Sequence, residues 1–343
     1  MDAWRGIVAV VGGAVSALFW AVTLAIYQPF MQPSGGWTDP QTGAQYPNEG
    51  SNNTYWPRDV RQFAILLAFA AIVVLVDANL RAVLIAAAGT ALWLAADLVL
   101  DRLDVHGWGA ATGLAVAGVL LAGLLSLAAR RLSTGAPGGQ LTRHLTATVI
   151  AVSGAVLLLV STPWDEPVTD PAQVRVENAL TLMQIVLAVV CTAVAAALLH
   201  PATHWRRVAV FGAVAALAAW PATAAIGSGS LFGLVALPVS AALAVAAARP
   251  VTLPRLLAAG AAAAALIFPS FLAVYFTGIT IGAAMTSAAG NPPINGADED
   301  LSLAYAALGL GLILAALTRW ITGPKFAPRF SPASAAEVPA PAR

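Results

Sequence analysis

The sequence predicts an all-α, polytopic integral membrane protein, a helical bundle of about ten transmembrane helices with both termini in the cytoplasm. Its composition is 59% hydrophobic and only 10% charged, with a mean hydropathy of +0.80. In soluble proteins about a quarter of all residues are charged. Long apolar runs also recur from one end of the 343-residue chain to the other. So few charges cannot cover a globular surface, and the chain therefore requires lipid around it.

Ten apolar segments remain when the chain is divided at charged, polar and Pro/Gly-rich stretches, and each is near the roughly 20 residues that cross a bilayer. They comprise residues 7–27, 62–80, 82–100, 109–128, 145–162, 179–199, 208–226, 231–248, 256–277 and 301–318. The first segment is too long for a cleavable signal peptide and is expected to remain as a helix. Nine or eleven helices stay open as alternatives.

The distribution of charge predicts the orientation, because cytoplasmic loops of membrane proteins are enriched in Lys and Arg. With the amino terminus inside, 13 of the 17 basic residues fall in cytoplasmic segments and 13 of the 16 acids fall at or beyond the outer surface. The helices form one transmembrane domain over residues 1–325. The Pro/Ala-rich residues 326–343 are expected to form a disordered cytoplasmic tail.

Several classes of function are excluded by what the sequence lacks. A formal net charge of +1 without any basic stripe argues against nucleic acid as a partner. The single cysteine, Cys191, lies in an apolar run and cannot build a disulfide or a cysteine cluster. The sequence contains neither an HExxH motif nor a calcium-binding loop, and it predicts no metal and no cofactor.

A short turn, residues 77–81, joins the second and third predicted helices, so their opposite ends should lie side by side on the external face. This geometry predicts an external polar cluster. Its candidate members are Arg58, Asp59, Arg61, Asp97, Asp101, Asp104 and His106.

Asp97 is the most informative residue of this cluster, because it lies about one turn inside the apolar boundary. An ionised carboxylate there is unfavourable unless it is paired or hydrated. Arg61 is the expected partner, with Arg58 as the alternative. The cluster is interpreted either as an external site for a cation or polar headgroup, or as a structural group of salt bridges.

Other features concern the loops and the helix interiors. Residues 28–61, 163–178 and 278–300 carry most of the external polar content and are expected to be loops. Pro221, Pro238 and Pro269 could kink three consecutive helices around a cavity. The GxxxG spacing of Gly109 and Gly113 is expected to support close helix packing.

Three functions are consistent with this architecture. The first is a transporter-type bundle for a small apolar or zwitterionic molecule in the plasma membrane of a bacterium. The second is an enzyme, a transferase acting on a lipid-linked substrate at the outer face, with Asp39, Glu49 and Asp59 as candidate acids. The third is an accessory subunit of a membrane complex. The expected partners are the bilayer, a small-molecule or lipid ligand, and another membrane protein, and the absence of catalytic motifs favours a non-enzyme.

The predicted helix count and orientation resemble those of the drug/metabolite transporter superfamily, in which five plus five helices form an inverted repeat. The two halves of this chain share no recognisable internal similarity, and the long first external loop departs from the compact pattern of that family. The placement of acids after the first helix is similar to that of lipid-linked glycosyltransferases.

Overall fold

The computed structural model describes residues 3–31, 36–38, 45–47, 54–133, 138–159, 171–199, 231–248, 251–291 and 302–323. Several sequence predictions fall outside these residues. They concern the segment 208–226, Pro221, the candidate acids Asp39 and Glu49, and the tail 326–343.

The described residues form a helical bundle with one small antiparallel ribbon. The helices are α1 (Ala3–Val22), continued by a π-helical turn (Thr23–Tyr27) and α2 (Gln28–Met31), then α3 (Trp56–Leu75), α4 (Leu80–Arg102), α5 (Trp108–Leu132), α6 (Gln140–Leu159), α7 (Pro171–Leu198), α8 (Leu231–Ala247), α9 (Leu253–Ala289) and α10 (Leu303–Thr322). The ribbon pairs β1 (Gly36–Thr38) with β2 (Gln45–Pro47), and Trp37 lies opposite Tyr46.

Seven helical segments of the described chain are long and apolar enough to cross a membrane, as a multi-pass membrane protein requires. They comprise Arg5–Met31, α4, α5, α6, α7, α9 and α10. Large apolar side chains cover the outside of this bundle, including Leu92 at 72% exposure and Phe276 at 64%. An exposed apolar surface of this kind suits lipid contact.

Helix α3 lies at the centre of the bundle and carries three buried charged side chains. Eighteen of its 20 residues are buried, including Arg58, Asp59 and Arg61 in its first two turns. It packs against α1, α4, α5, α7 and α10. Because neighbouring helices cover it, α3 can hold residues that would be unfavourable on a lipid-facing helix.

The predicted short connection between the second and third helices is present. Helix α3 ends at Leu75, and Asn79 caps α4 by accepting a 3.2 Å hydrogen bond from the backbone N–H of Ala82. In the turn, Asp77 forms ion pairs with Arg5 at 3.0 Å and with Arg143 at 3.6 Å. We call this the Asp77 end. Arg61 lies 14 residues before the last residue of α3, Leu75, or about 21 Å along the helix, and marks the Arg61 end.

Helices occupy part of each segment that was predicted to be an external loop: α2 and the beginning of α3 lie in 28–61, α7 begins at Pro171 within 163–178, and residues 278–289 of 278–300 are helical. The largest difference is in helix α9. Its 37 residues run to Ala289, 12 residues beyond the predicted segment 256–277. No charged residue interrupts residues 278–289, so the helix continues until Gly290 adopts a left-handed conformation with φ of 76°. At 1.5 Å per residue α9 is about 55 Å long. Its last turns therefore reach across the Arg61 end of the bundle.

Close packing involves different glycines from those that the GxxxG pattern indicated. Gly109 and Gly113 are exposed, and a Cβ added at either would meet no heavy atom within 4 Å. At Gly118 an added Cβ would lie 2.9 Å from the Cβ of Ala17, which shows that α1 and α5 approach most closely there. Chain spacing alone could not indicate which face of α5 contacts another helix.

Candidate functional site

Polar and charged side chains from four separate segments meet at the Arg61 end of the bundle. We define the Arg61 network as Trp20, Gln28, Arg61, Asp97, Asp101 and Asn291. Arg61, Asp97 and Gln28 are at most 1% exposed. The network is therefore a charged interior within a bundle whose other surfaces are mostly apolar.

Helix α4 presents its two network acids because of a regular buried stripe. Ala82, Ala86, Trp93, Asp97 and Asp101 are all buried and recur at helical spacing. The stripe faces α3 and α5, and large apolar residues occupy the opposite side of α4. Asp97 and Asp101 therefore share one helical face, as the spacing of four predicted.

Arg61 uses its whole guanidinium group. Its Nε lies 2.9 Å and 3.0 Å from the two carboxylate oxygens of Asp97. One terminal nitrogen donates to Gln28 Oε1 at 2.9 Å, and the other donates to Asp101 Oδ2. The planar guanidinium suits several simultaneous acceptors, which an ammonium group could not match in the same geometry.

Asp97 also accepts a 2.9 Å hydrogen bond from the indole N–H of Trp20 in α1. The Trp20 ring meets that of Trp93 edge to face, with centroids 5.3 Å apart. This contact orients the indole toward the carboxylate. The network thus fastens α1 to the α3–α4 hairpin.

The segment that follows Trp20 supplies the next partner. Helix α1 changes to a π-helical turn at Thr23–Tyr27 before α2 begins at Gln28. Such turns often occur at functional positions. Gln28 donates to the backbone oxygen of Thr54 at 3.4 Å and accepts from Arg61. The amide thereby links the beginning of α2, the residues preceding α3, and the guanidinium.

A second set of contacts joins α3 to α9 and α10. We define the Arg58 group as Tyr55, Arg58, Asp59, Gln62, Met285, Thr286, Ser302 and Leu303. Arg58 donates to the Thr286 hydroxyl and lies 4.6 Å from the ring centroid of Tyr55. Asp59 accepts from the Leu303 backbone N–H at 3.3 Å, at the beginning of α10.

Gln62 completes the Arg58 group. Its carbonyl oxygen accepts from the Ser302 hydroxyl at 3.1 Å, and its amide nitrogen lies 3.4 Å from the Met285 sulfur. Arg102 at the end of α4 also donates to the Ala288 backbone oxygen at 3.2 Å. Cations beside the last turn of α9 interact favourably with the negative end of its helix dipole.

The structure brings together only part of the external cluster expected from the sequence. Arg61, Asp97 and Asp101 meet, and the predicted pairing of Arg61 with Asp97 is confirmed. Arg58 and Asp59 are adjacent but bond to α9 and α10 instead. Asp104 and His106 are exposed beyond the end of α4 at Arg102, where helical spacing no longer applies.

Several residues of the site were not predicted. Trp20, Gln28, Thr286, Asn291 and Ser302 all contribute side-chain contacts. For four of them the available signal was position, since Gln28, Thr286 and Asn291 lie in predicted external segments and Ser302 lies at the beginning of a predicted helix. Trp20 lies seven residues before the end of segment 7–27 and had no such signal. Their contacts span between 26 and 240 residues of sequence, too far for local spacing to connect them.

The charges of the Arg61 network and the Arg58 group nearly balance. Arg58 and Arg61 carry two formal positive charges, and Asp59, Asp97 and Asp101 carry three negative ones, giving a formal total of −1 when all are ionised. Charges interact strongly in a low-dielectric interior, so each ion depends on its partners. Among the described residues no group of three or more His, Cys, Asp or Glu side chains could hold a metal ion.

The chain matches no protein-family model, no curated protein and no solved structure. Its function is therefore argued from this geometry.

Proposed function

We propose that this protein is a transporter-type bundle of the plasma membrane for a small apolar or zwitterionic molecule. In this proposal ten helices cross the membrane, both termini are cytoplasmic, and the Arg61 end faces outward. The observation that carries the proposal is the buried Arg61 network, which closes one end of the bundle with contacts from separate helices. Ionisable residues inside a membrane bundle commonly mark a transport pathway.

The α3–α4 hairpin forms polar contacts with neighbouring helices at both ends of the bundle. At the Arg61 end the hairpin bonds to α1, α2, α9 and α10. At the Asp77 end it bonds to α1 through Arg5 and to α6 through Arg143. Alternating access requires closures that open one at a time on opposite sides. We propose that these two groups are those closures.

The enzyme alternative has no specific support in the described residues. Asp59 is 4% exposed, and its carboxylate accepts a hydrogen bond from the backbone N–H of Leu303. A catalytic acid would need to reach a substrate oxygen within hydrogen-bond distance. The experiments below distinguish transport from the remaining alternative, an accessory subunit of a membrane complex.

The orientation is tested by cysteine labelling in a Cys191→Ala background, because Cys191 is the one cysteine of the chain. Asp104→Cys and Arg131→Cys place matched exposed thiols at opposite ends of the bundle. A membrane-impermeant maleimide should label Asp104→Cys in intact cells and label Arg131→Cys only after permeabilisation. The reverse pattern would invert the proposed topology.

Transport is tested in two steps with the full-length protein. First, the melting temperature in detergent is measured against a panel of zwitterionic and apolar metabolites. Each compound that raises it is then followed as radiolabelled uptake into proteoliposomes. We expect at least one compound to stabilise the protein and to accumulate, and Arg61→Lys to reduce its uptake.

The corresponding control is Asp104→Asn, which changes an exposed carboxylate at the same end and should leave uptake unchanged. If no compound stabilises the protein, and it purifies as a stoichiometric complex with a larger membrane assembly, the transport proposal is wrong and the accessory role is correct.

A further inference from the structure

A groove lies between α1, α3 and α5 in the half of the bundle nearest the Asp77 end. Its volume is about 470 Å³. Gly6 and Gly13 of α1 and Gly123 of α5 line it without side chains, and Ala68 and Ile72 of α3 form its floor. A Cβ added at Gly123 would meet no heavy atom within 4 Å, so this position faces open space.

The groove opens toward the lipid-facing surface and has one charged end. Its lining includes the exposed apolar residues Val10, Val119 and Leu127, with 72%, 49% and 47% exposure. Ser126 and Arg130 line it further along α5 toward the Asp77 end. From Val119 to Arg130 the helix rises about 16 Å. The groove is therefore apolar along most of its length, and Arg130 lies at one end of it.

Positive charge exceeds negative charge around this end. Arg5, Arg130, Arg131 and Arg143 lie in or beside it, and Asp77 forms ion pairs with two of these arginines. These five residues carry a formal charge of +3, from four positive charges and one negative charge. An apolar groove with a cationic end complements an amphiphile that has a hydrocarbon chain and an anionic head.

We propose that this groove binds one acyl chain of an anionic glycerophospholipid, with the phosphate of the headgroup at Arg130. The lipid belongs to the leaflet at the Asp77 end. Acyl chains already surround α1 and α5, and the cationic end selects the anionic headgroup from among them. This inference rests on the bundle being in a membrane and is independent of what the protein transports.

The test uses the full-length protein in phosphatidylcholine bilayers that contain a trace of spin-labelled lipid. Electron paramagnetic resonance measures the motionally restricted fraction of labelled phosphatidylglycerol and of labelled phosphatidylcholine. We expect the wild-type protein to restrict phosphatidylglycerol preferentially. Arg130→Gln should lower that preference by about fivefold, the contribution expected of one basic residue near a headgroup.

Gly123→Leu fills the groove without an existing contact to displace, and it should reduce the restricted phosphatidylglycerol fraction. Gly113→Leu is the matched control, because Gly113 lies on the same helix but outside the groove and an added Cβ there also meets nothing within 4 Å. It should behave like the wild type.

Two results would overturn the proposal. Equal restriction of both lipids, unchanged by Arg130→Gln and Gly123→Leu, would show that no selective lipid site exists. If Gly123→Leu instead converts a wild-type dimer to a monomer in sedimentation measurements, the occupant is a second copy of the chain. Arg130→Gln keeps the test valid even if Gly123→Leu fails to fold.

Discussion

Arg61 and Asp97 form a fully buried ion pair in which the guanidinium Nε lies within 3.0 Å of both carboxylate oxygens of Asp97. Both side chains are completely inaccessible, Trp20 of α1 donates to Asp97, and Gln28 of α2 accepts from Arg61. Because neither ion can reach water, the stability of each depends on the other.

Asp97→Ala should therefore destabilise the protein much more than Asp104→Ala. Removing Asp97 leaves Arg61 buried with fewer acceptors, and breaking a buried pair in this way costs about 3–5 kcal/mol. Asp104 is exposed and its replacement leaves no buried charge unpaired, so the cost is only the roughly 1–2 kcal/mol of placing alanine at its left-handed φ of 48°. Melting temperatures of the two variants in the same detergent measure the difference. Equal melting temperatures would show that the Arg61–Asp97 pair does not stabilise the fold.

Arg61→Lys should also lower the melting temperature although the charge is kept. Lysine cannot present donors to Gln28, Asp97 and Asp101 in the planar arrangement of the guanidinium. We expect a loss of about 1–3 kcal/mol, in the range for hydrogen bonds to charged groups.

Arg102→Lys is the matched comparison, since Arg102 is exposed and donates only one hydrogen bond among those described, to Ala288. Its melting temperature should stay within about 1 °C of the wild type, because an exposed contact of this kind contributes little. A similar decrease in melting temperature in both variants would show that the planar arrangement of the Arg61 donors does not contribute to stability.

Gln184→Met should stabilise the protein. Gln184 is fully buried in α7, and neither its amide oxygen nor its amide nitrogen has a hydrogen-bond partner among the described residues. An unsatisfied buried polar group costs about 1–3 kcal/mol, and methionine has nearly the same shape without that penalty. The melting temperature of the ligand-free protein measures the effect.

Gln62→Met is the control for this substitution, because Gln62 is equally buried but bonds to Ser302. It should lower the melting temperature. If Gln184→Met is instead destabilising, Gln184 has a partner in the folded protein that the described contacts do not include.

Gly118→Ala should separate α1 from α5. The new Cβ would approach the Ala17 Cβ to 2.9 Å and the Ala17 Cα to 3.3 Å, and the backbone atom cannot move independently of its helix. Overpacking of this kind costs about 1–3 kcal/mol. Gly113→Ala on the same helix meets no heavy atom and should stabilise by about 0.5–1 kcal/mol through helix propensity. Parallel melting curves compare them, and opposite signs are expected.

The amino-acid sequence by itself determined the membrane character, the approximate position of the helices and the pairing of Arg61 with Asp97. These properties depend on local quantities: the length of apolar runs, the polarity of short turns, and spacing along one helix. Nine of the ten predicted segments overlap helices in the described residues, although α3 and α7 begin earlier and α9 ends later than predicted, and the tenth lies outside them.

Only the tertiary structure decided which residues complete the site and which end of the bundle α9 covers. Trp20 reaches Asp97, Gln28 and Thr286 reach the two arginines, and Ser302 reaches Gln62, because distant helices pack around the buried α3. Beyond residue 277, α9 packs over the Arg61 end, where Ser302 donates its backbone N–H to the Gly278 oxygen at 3.0 Å. Hydropathy measures affinity for lipid, and it contains no information about which faces of the helices meet.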